Sequence, residues 1–391
     1  MNVYLDYSAT TPVKKEVLDA MIPYFTEVYG NPSSIYRTAQ TSKKAIDQAR
    51  DIIAGTFNAD QSEIFFTGGG SESDNWAIKG AAYALQGQGK HIITSVIEHH
   101  AVLHTCEYLE KQGFEITYLP VDDQGLVRVE DLKNAIKDDT ILISIMYANN
   151  EIGTIQPIEE IGTIAREKGI LFHTDAVQAY GHIVLDTKTL PVDLISVSAH
   201  KLYGPKGIGA LYVRRGVKIH NLIHGGGQEK KKRAGTENIA GIVGFGKAAE
   251  LAYADIQGHN QKLTAMRDNL RNRILETIPY TRLNGHPEKR LCNNVNVSFE
   301  FIEGEGILLG LDMAGISASS GSACTSGSLD PSHVLLGIGL SHEIAHGSLR
   351  LTLGDMTTQE EIDYVVEKLP PIIQRLRDMS PLYEQVKEGT R

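Results

Sequence analysis

Short apolar runs rich in Val, Ile and Leu alternate with stretches of helical spacing over the first 214 residues. The runs at 63–67, 91–97, 115–121, 140–148, 170–176, 193–200 and 208–214 predict strands. Stretches at 71–85 and around 101–111, 130–137 and 158–168 predict helices between most of them. A further helix is predicted over 14–29, with Val17, Met21, Phe25 and Val28 on one side. Strands alternating with helices predict an α/β fold with a mainly parallel, seven-stranded sheet covered on both faces. Ligands in such sheets bind beyond the carboxyl ends of the strands.

From residue 236 the pattern changes. A long helical region is predicted to about 278, carrying the chain into a smaller α+β domain. Strands are predicted there at 294–300, 316–319 and 348–354, with helices near 306–314 and over 359–377. Two domains are the natural expectation for 391 residues. The boundary is expected near residue 255: a large domain over 14–255, and a small one built from 1–13 and 256–391.

Composition adds exclusions. Hydrophobic residues make up 41% and charged residues 22%, ordinary for a globular protein. A net charge of -10 argues against broad nucleic-acid or anionic-membrane binding. Lys230-Lys231-Lys232-Arg233 is the one dense basic run. Three widely spaced cysteines imply no disulfide framework, so a reduced, cytoplasmic setting is expected. Residues Met1 to Asp6 lack the charged-then-apolar pattern of a secretion signal. The apolar run at 141–148 is too short to span a bilayer.

The chemistry gathers where predicted strands end. Ser198-Ala199-His200-Lys201 closes one run, and Gly204-Pro205-Lys206-Gly207 follows. Lys201 is well placed there to form a Schiff base with an aldehyde cofactor. Asp175, at the end of another run, can pair with a pyridinium nitrogen. A lysine for the aldehyde and an acid for the ring nitrogen point to pyridoxal 5'-phosphate.

Other candidates read two ways. Gly68-Gly69-Gly70-Ser71 is a plain β-to-α turn or an anion cradle at a helix start. It is neither a Walker loop nor a GxGxxG fingerprint. His99 can stack on a planar cofactor and shuttle protons, or cap a helix. His99, His100 and His104, joined by His173 and Asp175, could ligate a metal, but no HExxH or cysteine-pair pattern supports one and none is expected. Asn150, in the Asn149-Asn150-Glu151-Ile152-Gly153 turn, and Gln178 are candidate amides at a cofactor edge. Thr236 follows a glycine-rich, basic loop and reads as a phosphate contact or as part of a solvated loop. Arg350, in apolar company, needs an anion: a substrate carboxylate on its fork or a structural salt bridge. Cys324 lies in Ser319-Ser320-Gly321-Ser322-Ala323-Cys324-Thr325-Ser326, a composition that suits an exposed nucleophilic thiolate or an incidental cysteine. Cys106 and Cys292 read as structural.

Together these motifs resemble the cysteine desulfurases of the NifS/IscS type, fold-type I pyridoxal-phosphate enzymes of the class V aminotransferase group. The resemblance runs from Tyr4-Leu5-Asp6-Tyr7-Ser8-Ala9-Thr10-Thr11-Pro12, through Gly30-Asn31-Pro32-Ser33-Ser34, to Met379-Ser380-Pro381-Leu382-Tyr383. It implies conversion of L-cysteine to L-alanine, with sulfur carried as a persulfide on Cys324. The sulfur would pass to an acceptor for iron–sulfur cluster assembly, thio-cofactor synthesis or tRNA thiolation. Lys201 would carry the cofactor and move protons, Asp175 would keep the ring nitrogen protonated, and His99 would stack on the ring. Asn150 and Gln178 would bond to ring substituents. Gly70, Ser71, Ser198 and His200 would hold the phosphate, joined by Thr236 from the partner subunit of a homodimer. Arg350, with Asn150 and Asn31, would hold the substrate. The implied protein partner is a sulfur acceptor such as an iron–sulfur scaffold, with no nucleic acid bound directly and no membrane. Tyr36, Gly68-Gly69-Gly70-Ser71 and Trp76 depart from the family's commoner residues without removing a catalytic group. The rival readings are a selenocysteine lyase or other enzyme of the same group, a non-catalytic protein of the same fold, and a metal-dependent hydrolase.

Overall fold

The protein is described by a computed structural model covering residues 1–320 and 331–387. Its centre is a seven-stranded sheet in the spatial order Ile64–Thr67, Gly209–Val213, Leu194–Ser198, Leu171–Asp175, Thr140–Ser144, His91–Ser95, Glu115–Leu119. Gly209–Val213 runs antiparallel to both neighbours, and the other pairings are parallel. The central strands are buried along nearly their whole length, as continuous apolar runs covered on both faces require. Every predicted strand of this sheet is present, trimmed at its ends. The run at 140–148 leaves regular strand after Ser144, yet Ile145 and Tyr147 still donate to the carbonyls of His173 and Asp175.

The helices follow the predicted spacing in the main, with differences that have physical causes. The 14–29 stretch breaks into Lys15–Met21 and Pro23–Thr26, because Pro23 brings no backbone N–H and crowds the preceding turn. Phe25 does not join Val17 and Met21 in the core; it is 62% exposed. The region after 236 is two helices, Ile239–Tyr253 and Ile256–Thr277, not one. Asp255 interrupts it, accepting the Gly258 N–H as a cap for the second helix. The helix Arg37–Thr56 answers no predicted element. Its buried side is carried largely by Ala39, Ala45, Ala49 and Ala54, and it packs closely on Ile239–Tyr253. A Cβ on Gly246 would lie 2.8 Å from that of Ala49, so the glycine permits the approach.

A second apolar core joins Val3 and Leu5 with Leu263, Leu270, Val297, Leu351 and Leu369. It packs on a three-stranded antiparallel sheet ordered Ser348–Thr352, Asn294–Phe299, Thr281–Leu283. Val3–Tyr4 pairs in parallel with Ile316–Ser317, drawing the N-terminal segment onto this core. No helix among the described residues is long and apolar enough to cross a membrane.

Candidate active site

Four parallel strands of the sheet deliver the site. The chain leaves His91–Ser95 toward His99 and Thr140–Ser144 toward Asn150. Leu171–Asp175 ends on Asp175, and Leu194–Ser198 leads through one short helical turn to Lys201. These side chains meet at a cavity of about 380 Å³ beyond the carboxyl ends of the strands. Gly70, Ser71, Gln178, Ser198, His200 and Arg350 also line it.

Each of these groups is fixed by neighbours. Lys201 Nζ donates to the carbonyls of Ser8 at 2.5 Å and Ala9 at 2.9 Å. Asp175 Oδ1 accepts the Val177 N–H at 2.9 Å. Burial pushes the Asp175 carboxyl up to about 6, against the pull of that N–H and of Lys201. His99 Nδ1 accepts the Ala101 N–H at 3.1 Å and caps the helix His100–Glu110. The neutral ring therefore carries its proton on Nε2. Burial, then the charge on Lys201, lowers the His99 pKa to about 4. Capping and cavity-lining thus coincide in one residue.

Gln178 Nε2 donates to the Ser8 carbonyl at 2.9 Å, and Thr10 Oγ1 lies 3.2 Å from His200 Nδ1. Asn149, rather than Asn150, pins the turn: its Oδ1 accepts the N–H groups of Glu151 and Ile152. Asn150 is left lining the cavity, and its carbonyl accepts from Arg350 Nη1 at 3.1 Å. Arg350 Nη2 donates to Asp6 Oδ1 at 2.8 Å, so the salt bridge weighed from the sequence exists. Arg350 Nε has no hydrogen-bond partner among the described residues, which leaves the guanidinium a donor for a further anion.

Two predicted residues are not brought to this cavity within one chain. Asn31 is exposed and accepts the Ser33 N–H. Thr236 is exposed, beyond a loop held by a buried Arg50–Glu229 pair at 2.7 Å and by Arg233–Glu72 at 2.8 Å. That loop is anchored, not merely solvated. Cys324 lies outside the described residues. Cys106 and Cys292 are both buried, and burial pushes the Cys292 thiol up to about 12.

Asp74, Ser8 and Ala9 line the cavity without having been singled out from the sequence. Asp74 lies one turn beyond Gly70 on the helix Gly70–Leu85, so helical spacing was the available signal. It is 1% exposed, its Oδ1 has no hydrogen-bond partner among the described residues although His173 Nε2 lies 3.6 Å away, and burial followed by the charge on Asp175 holds its carboxyl well above the usual range. Asp74, His99 and Asp175 each bring a possible ligand atom within 4.8 Å of the others. His100 and His104 instead face one another, ring centroids 5.0 Å apart.

Comparison with known proteins agrees with this geometry. Residues 3–365 match the family described as Aminotransferase class-V. The chain is 64% identical over 380 residues to a cysteine desulfurase IscS of Methanosarcina thermophila, covering 97% of this chain and 94% of the relative. A solved NifS-like protein superposes with a TM-score of 0.91 at 39% identity, covering 96% of this chain and 100% of that one. A structure described as SspA in complex with cysteine gives a TM-score of 0.80 at 42% identity, covering 90% and 99%. The chain belongs to the class-V aminotransferase family, among its cysteine desulfurases of the NifS/IscS type.

Proposed function

We propose that this enzyme is a pyridoxal 5'-phosphate-dependent cysteine desulfurase that converts L-cysteine to L-alanine and carries the sulfur as a persulfide on Cys324. The observation that carries the reading is the meeting of Lys201, buried Asp175 and Arg350 at one cavity. The residues present suit the cofactor: an amine, a buried acid and a helix start converge there. Asp74 Oδ1 and Arg350 Nε, without hydrogen-bond partners among the described residues, belong to two of the lining residues. When bound, the cofactor supplies an electron sink for the charge that C–S cleavage leaves on the substrate carbon skeleton.

Each residue then has work of its own. Lys201 would carry the cofactor aldehyde and, once displaced by substrate, take the proton from its Cα at Nζ. Asp175 would keep the ring nitrogen protonated, and that cation would in turn draw its carboxyl back toward the ionised form. His99, neutral near pH 7 and protonated on Nε2, would lie against the ring and give or take a proton there. Gly70, Ser71, Ser198 and His200 would take the phosphate, helped by the N-terminus of Gly70–Leu85. Asn150 and Gln178 would orient the ring. Arg350, with Asn150 and Asn31, would hold the substrate carboxylate. Cys324 would attack the substrate sulfur, so that no free sulfide need leave.

The same reading includes a homodimer in which Thr236 of each chain reaches the other's phosphate. Exposed Leu18, Ile22, Phe25, Tyr29 and Ile35 between residues 18 and 35 are apolar side chains that a second copy would cover. The proposed domains are 14–255, and 1–13 with 256–391. A cytoplasmic setting and an acceptor such as an iron–sulfur scaffold complete the proposal. Purified protein should be yellow and should release alanine from L-cysteine, and Lys201→Ala should abolish both the covalently held chromophore and the alanine. Alanine formation that survives Lys201→Ala would refute the assignment.

A further inference from the structure

The N-terminal segment braces the site from one side. Its Ser8 and Ala9 carbonyls hold Lys201, the Ser8 carbonyl also holds Gln178, and Thr10 meets His200. The same segment offers one charged side chain to the site, Asp6, and it goes to Arg350.

The pair is set in a closed environment. The Arg350 side chain is 3% exposed and that of Asp6 18%, so this is not a solvent-screened surface bridge. Asp6 is itself held: it bridges to Thr352, and its carbonyl accepts from the Tyr4 hydroxyl at 3.1 Å and the Ala9 N–H at 3.0 Å. Arg350 is gripped through both terminal nitrogens, Nη2 by Asp6 and Nη1 by the Asn150 carbonyl. Two acceptors on a planar fork fix its plane, leaving Nε–H and the remaining Nη hydrogens for a ligand. Glu151 also feels the charge on Arg350, but its Oε2 is taken by the Ser332 hydroxyl.

We propose that Asp6 is a positioning residue that sets the Arg350 guanidinium for the α-carboxylate of the amino-acid substrate, making discrimination against amines without a carboxylate a property of the pair. The inference rests on Arg350 being the carboxylate holder. Without Asp6, the buried cation would swing toward another acceptor, and substrate binding would have to reorder it.

The test uses holoenzyme and two ligands that differ only in the carboxylate, L-alanine and ethylamine, titrated through the cofactor absorbance. Asp6→Ala is expected to weaken L-alanine about tenfold, one partly lost charge-assisted contact, and to leave ethylamine within about twofold. Asp6→Asn should recover most of the loss, because its amide oxygen still accepts from Nη2. Asp6→Ala combined with Arg350→Ala should bind L-alanine no worse than Arg350→Ala alone. Should Asp6→Ala fail to fold, Asp6→Ser, too short to reach Nη2, carries the same comparison. Equal weakening of both ligands, an unchanged L-alanine affinity, or additive losses in the double variant would overturn the role of Asp6. A ratio of L-alanine to ethylamine affinity that Arg350→Ala does not change would overturn it differently, by removing Arg350 as the carboxylate holder.

Discussion

Ser319 and Arg350 exchange both backbone hydrogen bonds, Ser319 N–H to Arg350 O at 3.2 Å and Arg350 N–H to Ser319 O at 2.6 Å. The chain thus departs toward Cys324 from a point fixed to the proposed carboxylate holder. Farther along the chain, the Ser332 hydroxyl donates to Glu151 Oε2 at 2.5 Å, next to Asn150. Ser332 also caps the helix His333–Gly337 by accepting the N–H groups of Val334 and Leu335. Ser332→Ala should lower kcat for alanine formation about tenfold while leaving L-cysteine binding, read by cofactor absorbance, nearly unchanged. Ser332→Thr, which keeps the hydroxyl, should restore it. A rise in KM with kcat intact would contradict this assignment.

Buried Glu98 gives a pH signature. Burial raises its carboxyl from 4.5 to about 8, against hydrogen bonds from Ser95 and Met146, and its Oε2 has no hydrogen-bond partner among the described residues. Between those values the folded protein keeps a proton that the unfolded chain releases, so stability falls as pH rises through the window. Glu98→Gln should remove the share of this dependence that Glu98 contributes, beside those of Glu151 and Asp175, and stabilise the protein above pH 8 by roughly 1 kcal/mol or more. Melting temperatures from pH 5 to 9 at saturating cofactor check it; parallel curves for the two proteins would be the contrary result.

Arg50 and Glu229 form a two-pronged buried pair, both bonds 2.7 Å, and Glu229 also accepts the Phe66 N–H at 2.9 Å. Glu229, Lys230 and Lys231 all have positive φ, strain that this anchor sustains. Glu229→Ala leaves a buried guanidinium unpaired and should cost about 3 kcal/mol in denaturant unfolding. Because the anchored loop leads to Thr236, cofactor affinity should fall as well. Loss below 1 kcal/mol would mean the pair is not buried in solution.

A Cβ added to Gly70 would lie 2.6 Å from Val177 Cγ2, and the Val177 N–H holds Asp175. Gly70→Ala should therefore displace Val177 and weaken the cofactor about tenfold. Adding Val177→Ala should recover most of that loss. An unchanged affinity in Gly70→Ala would show that the helix start can shift freely.

Legibility in the sequence follows the reach of each interaction. Lys201, Asp175, His99 and Asn150 are readable because continuous apolar strands end beside them, and strand ends are where such sheets bind ligands. The helix Arg37–Thr56 answers no predicted element although Ala45, Ile46, Ala49 and Ile53 recur at helical spacing, an amphipathic stripe that is legible in the sequence. Asp74 hides among polar residues of a helix start, where its one-turn spacing from Gly70 is the only local signal and burial is what marks it out. Asp6, Ser8 and Ala9 reach the site by long-range closure of the chain onto Arg350 and Lys201, which no local pattern encodes. Thr236 and Asn31 lie outside the cavity of their own chain, so their proposed roles rest on the family resemblance.

The central claim is that Cys324 takes the sulfur of L-cysteine. Intact-mass analysis of the holoenzyme after L-cysteine, without reductant, reads it directly, alongside alanine and sulfide measured with reductant in wild type and Cys324→Ala. Wild type should gain about 32 Da, one sulfur added to a thiolate, localised to Cys324. It should also form alanine and sulfide in equal amounts, and Cys324→Ala should lose the added mass and most of the alanine. Alanine formed equally well without Cys324 would contradict the claim and favour a lyase of selenocysteine type.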